Sequence, residues 1–515
     1  MNPPPRTLPP AAPAAHPAEV ELKLALPGAD PRTIGERLAA LPLLAGLAPT
    51  PQKLRNLYFD TPDQHLRQAR AALRLRSLRQ GTGRARWLQT FKTAGEPGGA
   101  LSQRGEWEAA VQGGQLDPIV LQGTPWRGLD PDGTRLAQLA PCFETEVTRT
   151  LRLYTAGDGS RIEVALDVGL VRAGEARAEL CELELELLKG SADALFALAD
   201  HIAAELPVLP SPVSKAERGW RLVDGTLHAP RRARQPALAD DTPVPQAAQA
   251  VLGEMLGQFT ENLGGIVDSD GPELVHQARV GWRRWRSALW LFKPLLADAH
   301  PVPDNAPLRP LLNALGAMRD LDVAALESLP QWADAYIAGD EERARQWQAM
   351  ETAVTAERRI RRAGLLSTLE APPTGRALLA LERWLHALPQ AVWTPELAER
   401  GIADWAAGRT RRLHARLSTE VEDMAAADLD TAEGLEHQHT VRLLAKRTRY
   451  VLEALRTVLP KDRTRRWQEQ ATELQTRIGA ARDLMLLATL LEPLGVHPGI
   501  LGFLRGVAAA RAADV

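Results

Sequence analysis

Residues 179–188 read ELCELELELL, and residues 19–26 read EVELKLAL. Both alternate charge with apolar side chains, and in a β-strand residues i and i+2 share a face. Glu182, Glu184 and Glu186 therefore stand together, with Leu183, Leu185 and Leu187 behind them. Glu19, Glu21 and Lys23 do the same against Val20, Leu22 and Leu24. The greasy faces can pack under helices. The charged faces need water or a charged ligand, because an unpaired charge in a core costs several kcal/mol.

Working outward, the same period of two recurs at 72–78 (ALRLRSL) and 161–168 (RIEVALDV). Arg74 and Arg76 alternate on one strand and Lys92 follows on the next. Arg104, Glu106 and Glu108 alternate on another, and Asp167 is expected to end the strand RIEVALD. Between Gln64 and Gly95 lie eight Arg/Lys and no Asp/Glu. Helical patterns at about 31–44 and 191–206 complete an α+β region with a largely antiparallel sheet.

A single E-x-E strand is commonly a solvated, salt-bridged sheet face. Several such strands curved together instead make a tunnel lined with both signs, as barrel interiors are lined by alternate residues. Arg and Lys bind phosphate oxygens directly. Carboxylates on the same face need hard divalent cations between them and the phosphates, and Mg²⁺ takes such a mixture. The ligand read from these faces is a phosphate chain with bound metal.

After a Pro- and charge-rich stretch at 224–246 the strand patterns vanish, and 247–512 is helical in period. An internal repeat lies there. His276, Arg279, Arg283, Arg284 and Arg286 recur 163 residues later as His439, Arg442, Lys446, Arg447 and Arg449. The same offset carries Gly316, Arg319 and Asp320 onto Gly479, Arg482 and Asp483. His276, Arg279, Arg283 and Arg286 fall in a stripe about 80° wide and roughly 15 Å long on one helix. His439, Arg442, Lys446 and Arg449 repeat it, so two basic helix faces are expected in two pseudo-symmetric helical bundles. Asp320 and Asp483 are expected to cap or pair with their own basic helices. Trp282, Trp285 and Trp290 fit the packing side better than base stacking, which disfavours nucleic acid as a partner.

The motifs E-x-E-x-K (Glu19, Glu21, Lys23), LRLR (Arg74, Arg76), TFKTAG (Lys92), CELELELL and SKAERG (Lys215, Arg218) together resemble the CYTH family, the triphosphate tunnel metalloenzymes. VHQARVGWRRWRSAL with MRDLDV, and HTVRLLAKRTRYVLEAL with IGAARDL, resemble the CHAD domain. The first resemblance implies an eight-stranded antiparallel β-tunnel that hydrolyses a triphosphate with Mg²⁺ or Mn²⁺. It implies phosphate binding by Lys23, Arg74, Arg76, Lys92, Arg104, Arg149 and Lys215. Arg149 is preferred over its neighbour Arg152. Metal contact falls to Glu19, Glu21, Asp167, Glu182 and Glu184, and catalysis to Glu19, Glu21, Lys23 and Glu184. Glu186 is expected to be an outer, solvent-screened residue. The second resemblance implies polyphosphate binding by the two basic stripes.

The expected organisation is a disordered leader at 1–17, the tunnel domain at 18–223, a linker at 224–246 and the helical domain at 247–515. The expected substrate is inorganic triphosphate, cleaved to pyrophosphate and phosphate. Alternatives are a non-catalytic polyphosphate-binding protein, or a tunnel acting on nucleoside or thiamine triphosphate. The chain of 515 residues has 62 Lys+Arg, 64 Asp+Glu and a net charge of −2. That excludes a uniformly basic nucleic-acid coat but not segregated charged faces. Two cysteines exclude a disulfide scaffold. No apolar run is long enough for a membrane span, so a cytoplasmic protein without a membrane partner is expected.

Overall fold

The computed structural model describes residues 18–93, 95, 99–296, 300–427, 431–477 and 480–513. The leader 1–17 and Gly479 lie outside the described residues, as do the side chains of Arg482 and Asp483. The strands are β1 (Ala18–Ala25), β2 (Thr50–Asp60), β3 (Ala72–Arg79), β4 (Arg86–Lys92), β5 (Leu101–Val111), β6 (Ala140–Thr155), β7 (Arg161–Ala173), β8 (Ala176–Lys189) and the short β9 (Leu209–Pro210). Their order is β5-β4-β3-β2-β6-β7-β8-β1-β9, and β5 also pairs with β1. β1 to β8 thus close an antiparallel barrel, and β9 adds to β1 outside the closure. Asp167 does not end its strand: β7 runs six residues further and turns through Gly174 into β8.

The pairing register sets opposite charges face to face. Lys23 lies opposite Glu184, Arg104 opposite Glu19, Lys92 opposite Glu106 and Arg149 opposite Asp167. Facing pairs of this kind stabilise a ladder. Gly169 allows β6 and β7 to approach closely, since a Cβ there would sit 2.0 Å from the Glu146 carbonyl oxygen. On the outer face Leu22, Leu24, Leu183 and Leu185 are buried with Leu195, Phe196 and Ile202 of the Ala192–Glu205 helix. The polar parity therefore turns inward and the apolar parity packs outward, the reverse of a soluble sandwich.

The helix Lys215–Val223 packs against β6, β7 and β8. Ser214 caps it by accepting from the Glu217 backbone N–H. Gly219 lies flat on Phe143, where a Cβ would be 2.1 Å from the ring.

The second half is helical. The repeat-related helices Pro272–Leu296 and Ala432–Ala454 pack directly on one another. A large core involves the helices Val244–Asp268, Pro272–Leu296 and Pro372–Ala387, and a smaller one joins residues 321–354 to 487–508. The 224–243 segment is not a free tether. Arg231 pairs there with Glu254 and Glu261, and Leu238 packs on the large core. The two halves share apolar contacts, with Leu379 buried in the barrel's outer core and Leu209 in the helical one. Among the described residues no helix is long and apolar enough to cross a membrane.

Candidate active site

The barrel interior and the space above it form one cavity of about 1630 Å³. Its charges fall into two linked clusters. In the first, Lys215 Nζ lies 2.7, 2.5 and 2.6 Å from Asp167, Glu182 and Glu184. Lys23 pairs with Glu21 at 2.9 Å, with Glu182 at 3.3 Å and with Glu184. Arg149 donates Nε and Nη2 to the two Asp167 oxygens at 2.7 and 2.6 Å, and Nη2 also reaches Glu184 at 2.5 Å. In the second, Lys92 holds Glu19 and Glu106 at 2.8 and 3.1 Å, and Arg74 holds Glu106 at 3.3 Å. Arg104 joins the clusters by donating to Glu19 at 2.9 Å and Glu21 at 3.3 Å.

These groups are buried, so their ionisation is set by their partners. Burial pushes the Glu184 carboxyl up, but Lys215, Lys23 and Arg149 hold it well below the usual range. Asp167 is held low in the same way, burial being outweighed by Lys215 and Arg149. Arg76 is different. It donates to Asn56 at 2.8 Å, and its carboxylate contact, Glu108, stands 3.9 Å away. Burial, then Arg74 and Arg149, pull Arg76 down to about 10. A buried guanidinium beside like charges is a seat prepared for an anion.

Asp167, Glu182 and Glu184 each present an oxygen, and the three lie within 4.8 Å of one another. A buried, all-oxygen donor set fits a hard divalent cation. The same oxygens hold the ammonium groups of Lys23 and Lys215, so a cation there must share or displace them. Glu21 adjoins this group through Lys23. Glu19 does not join it and belongs to the Lys92–Arg104 cluster.

Arg149 projects into the tunnel and Arg152, of opposite parity, onto the outer side, where its Nε and Nη1 find no partner among the described residues. Glu186 is not solvent-screened. It lines the cavity, and burial with Glu19 and Glu163 pushes its carboxyl up to about 7. Neither cysteine is a nucleophile candidate: burial raises both thiols, Cys181 to about 11.

On the helical half, His276, Arg279 and Arg283 are half-buried and Arg286 is exposed. Burial and Arg319 keep the His276 ring below its ordinary value, and Arg279 is lowered by burial against the pull of Asp320. In the second copy His439 is exposed, while Arg442, Lys446 and Arg449 are half-buried. Arg284 faces the core, donating to Gln258 at 2.5 Å. Its repeat mate Arg447 instead stacks on Trp290 with Arg409, so Trp290 serves cations as well as packing. Arg447 is lowered by burial and then by Arg286 of the first stripe.

Residues 17–220 match the CYTH domain family and residues 250–492 the CHAD domain family. The chain is a CYTH domain followed by a CHAD domain. An inorganic triphosphatase of Haemophilus influenzae is 32% identical over 209 residues, 40% of this chain and 54% of that protein. The chain therefore spans about half the length of that curated relative. The solved CHAD domain from the plant Ricinus communis is 28% identical, with a TM-score of 0.46, over 56% of this chain and 92% of that one. A Hippeastrum structure described as a putative adenylyl cyclase with a dominant triphosphatase activity is 19% identical, with a TM-score of 0.30, over 39% and 95%.

Some CYTH residues escape a reading of the sequence. Glu163 lines the tunnel two pleats from Asp167, on the same parity, so the alternation already marked it. Asn56, which holds Arg76, shares its parity with Gln52, Leu54 and Tyr58 and carries no charge signal. Glu382 and Arg231 reach the cavity from outside the CYTH domain.

Proposed function

We propose that the CYTH tunnel hydrolyses inorganic triphosphate to pyrophosphate and phosphate with Mg²⁺ or Mn²⁺, and that the CHAD domain binds polyphosphate. The domains on this reading are 18–223 and 247–515, joined through 224–246. The observation that carries it is Arg76, a buried cation lining the cavity with Arg74 and Arg149, whose carboxylate contact among the described residues, Glu108, is as long as 3.9 Å. The inorganic triphosphatase relative supports the same substrate class.

In the reaction a water oxygen bonds to the terminal phosphorus as the bridging P–O bond breaks. Pyrophosphate leaves and one proton is released. Arg74, Arg76, Lys92 and Arg104 line the cavity and hold the chain for in-line attack. Lys23, Arg149 and Lys215 keep Glu184 and Asp167 ionised and aimed inward. Asp167, Glu182 and Glu184 would hold a divalent cation, which would supply charge neutralisation and Lewis acidity. No side-chain nucleophile is needed.

The test is phosphate release from tripolyphosphate, ATP, thiamine triphosphate and long polyphosphate, with Mg²⁺ or Mn²⁺ and with EDTA. Release is expected from tripolyphosphate foremost and to stop with EDTA. Absence of metal-dependent release from every substrate overturns the enzyme reading.

For the CHAD domain, Arg279→Ala combined with Arg442→Ala should weaken retention on a polyphosphate resin. The loss should be greater at low salt, since each cation neutralised releases counterions. Unchanged retention removes these stripes from the binding surface.

A further inference from the structure

The CHAD domain does more than sit beside the tunnel. Glu382, on the Pro372–Ala387 helix, is 3% exposed and reaches across to the CYTH domain. Its Oε2 accepts from the backbone N–H of Ala100 at 3.2 Å. Its Oε1 is buried and has no hydrogen-bond partner among the described residues. The approach depends on Gly99, at φ +88°, where a Cβ would lie 2.5 Å from Oε2. Such a conformation is one that residues with a Cβ rarely adopt.

Ala100 is a junction. Its carbonyl accepts from the Lys23 backbone N–H at 3.3 Å, and it immediately precedes β5, which carries Arg104. A contact at Ala100 therefore bears on two strands at once, one bearing Lys23 and the other Arg104. Both side chains project into the tunnel. The seam around Glu382 is otherwise firmly tied. Arg376 and Arg383 of the same helix pair with Asp200 and Asp193 of the CYTH domain, and Leu379 is buried in its core.

We propose that Glu382 is a positioning residue for the tunnel, through which the CHAD domain holds Ala100 and so sets Lys23 against its carboxylates and Arg104 for the phosphate chain. This rests on the triphosphatase reading above. The hold is pH-sensitive. Burial pushes the Glu382 carboxyl up to about 7, with the Ala100 N–H and Arg231 opposing. Arg231 of the connecting segment is committed to Glu254 and Glu261. His386 lies one turn along on the same helix, and Arg376 and Arg383 are committed to their aspartates. A carboxyl raised above its ordinary 4.5 stabilises the docked state fully below that value. The contribution is lost as pH rises through about 7. The contact is therefore tighter in mild acid than in mild base.

Steady-state kinetics on tripolyphosphate and amide exchange at Ala100 test this in the full chain, from about pH 6 to about pH 8. Glu382→Ala should raise KM about tenfold while kcat changes little, and Ala100 exchange should speed up. Glu382→Gln keeps an acceptor oxygen for Ala100, so it should restore KM while removing the rise in KM with pH seen in the parent. A Gln variant that keeps the parent's pH dependence overturns the proposal even if the Ala variant fails to fold. So does an Ala variant with parental KM. If the parent releases no phosphate, the triphosphatase reading fails. Ala100 exchange, which needs no substrate, still decides whether Glu382 holds the strand: exchange unaltered in Glu382→Ala refutes it.

Discussion

Glu184→Gln is expected to leave a folded protein that hydrolyses tripolyphosphate on the order of a thousandfold more slowly. Glu184 stands where the three cations of the inner cluster meet. One oxygen accepts from Lys215 and Lys23, the other from Arg149. Glutamine keeps one acceptor but turns an N–H₂ donor toward ammonium or guanidinium donors. It also removes a charge that Lys215, Lys23 and Arg149 hold ionised at any neutral pH. Of the three carboxylates able to share a cation, two remain. The cluster of three cations and four carboxylates is thus left with three of each, which repels triphosphate less but no longer balances a divalent cation. Tripolyphosphate should still bind, and polyphosphate retention by the CHAD domain should be unchanged. Phosphate release and resin retention measured on one preparation check both statements. Parental turnover excludes Glu184 from the chemistry, and equal loss of polyphosphate binding means that the domains do not act separately.

The inward face of this barrel was legible because strand parity is a property of neighbours in sequence. Glu19, Glu21 and Lys23 share a face whatever they pair with, and so do Arg74 and Arg76. What alternation cannot supply is the partner across the gap. That Lys23 faces Glu184, and Arg149 faces Asp167, follows from β1 closing on β8 and β6 pairing with β7. The separation of Glu19 from the Asp167 group has the same origin, because Glu19 lies opposite Arg104 on β5. Parity also decides between Arg149 and Arg152, which differ by an odd number of residues. The helical stripe was legible for the same local reason, at a period of 3.6. Arg284 falls off that stripe into the core, although the repeat alone groups it with Arg283 and Arg286. Glu382 had no local signal. It is an ordinary-looking glutamate in an amphipathic helix, and only docking against Gly99 and Ala100 buries it.

Lys215→Ala should lower the melting temperature of the metal-free protein by about 10 °C and enlarge its response to Mg²⁺ or Mn²⁺. The helix bearing Lys215 is anchored without it, by the Ser214 cap, by Gly219 on Phe143 and by Leu222 against the Val171–Leu180 cluster. The loss is therefore electrostatic. Removing one partner of a buried ion pair costs about 3–5 kcal/mol, and for a domain of this size each kcal/mol lowers the melting point by about 2–4 °C. In the variant Asp167, Glu182 and Glu184 keep Lys23 and Arg149 but lose the ammonium at their centre. A divalent cation no longer competes with that ammonium, so it binds the folded state more tightly and stabilises it by mass action. The pH dependence has a definite sign. Asp167 and Glu184 titrate below their ordinary range in the parent. Their stabilisation is present above the unfolded carboxylate range and is lost as pH falls through the depressed values. The gap between parent and variant should thus be widest near neutrality and close in acid, where both carry protonated carboxyls. Melting curves with and without metal across that range measure it. Equal melting points without metal, or a metal response no greater than the parent's, refute the assignment of Lys215 as the internal counter-ion of a cation site.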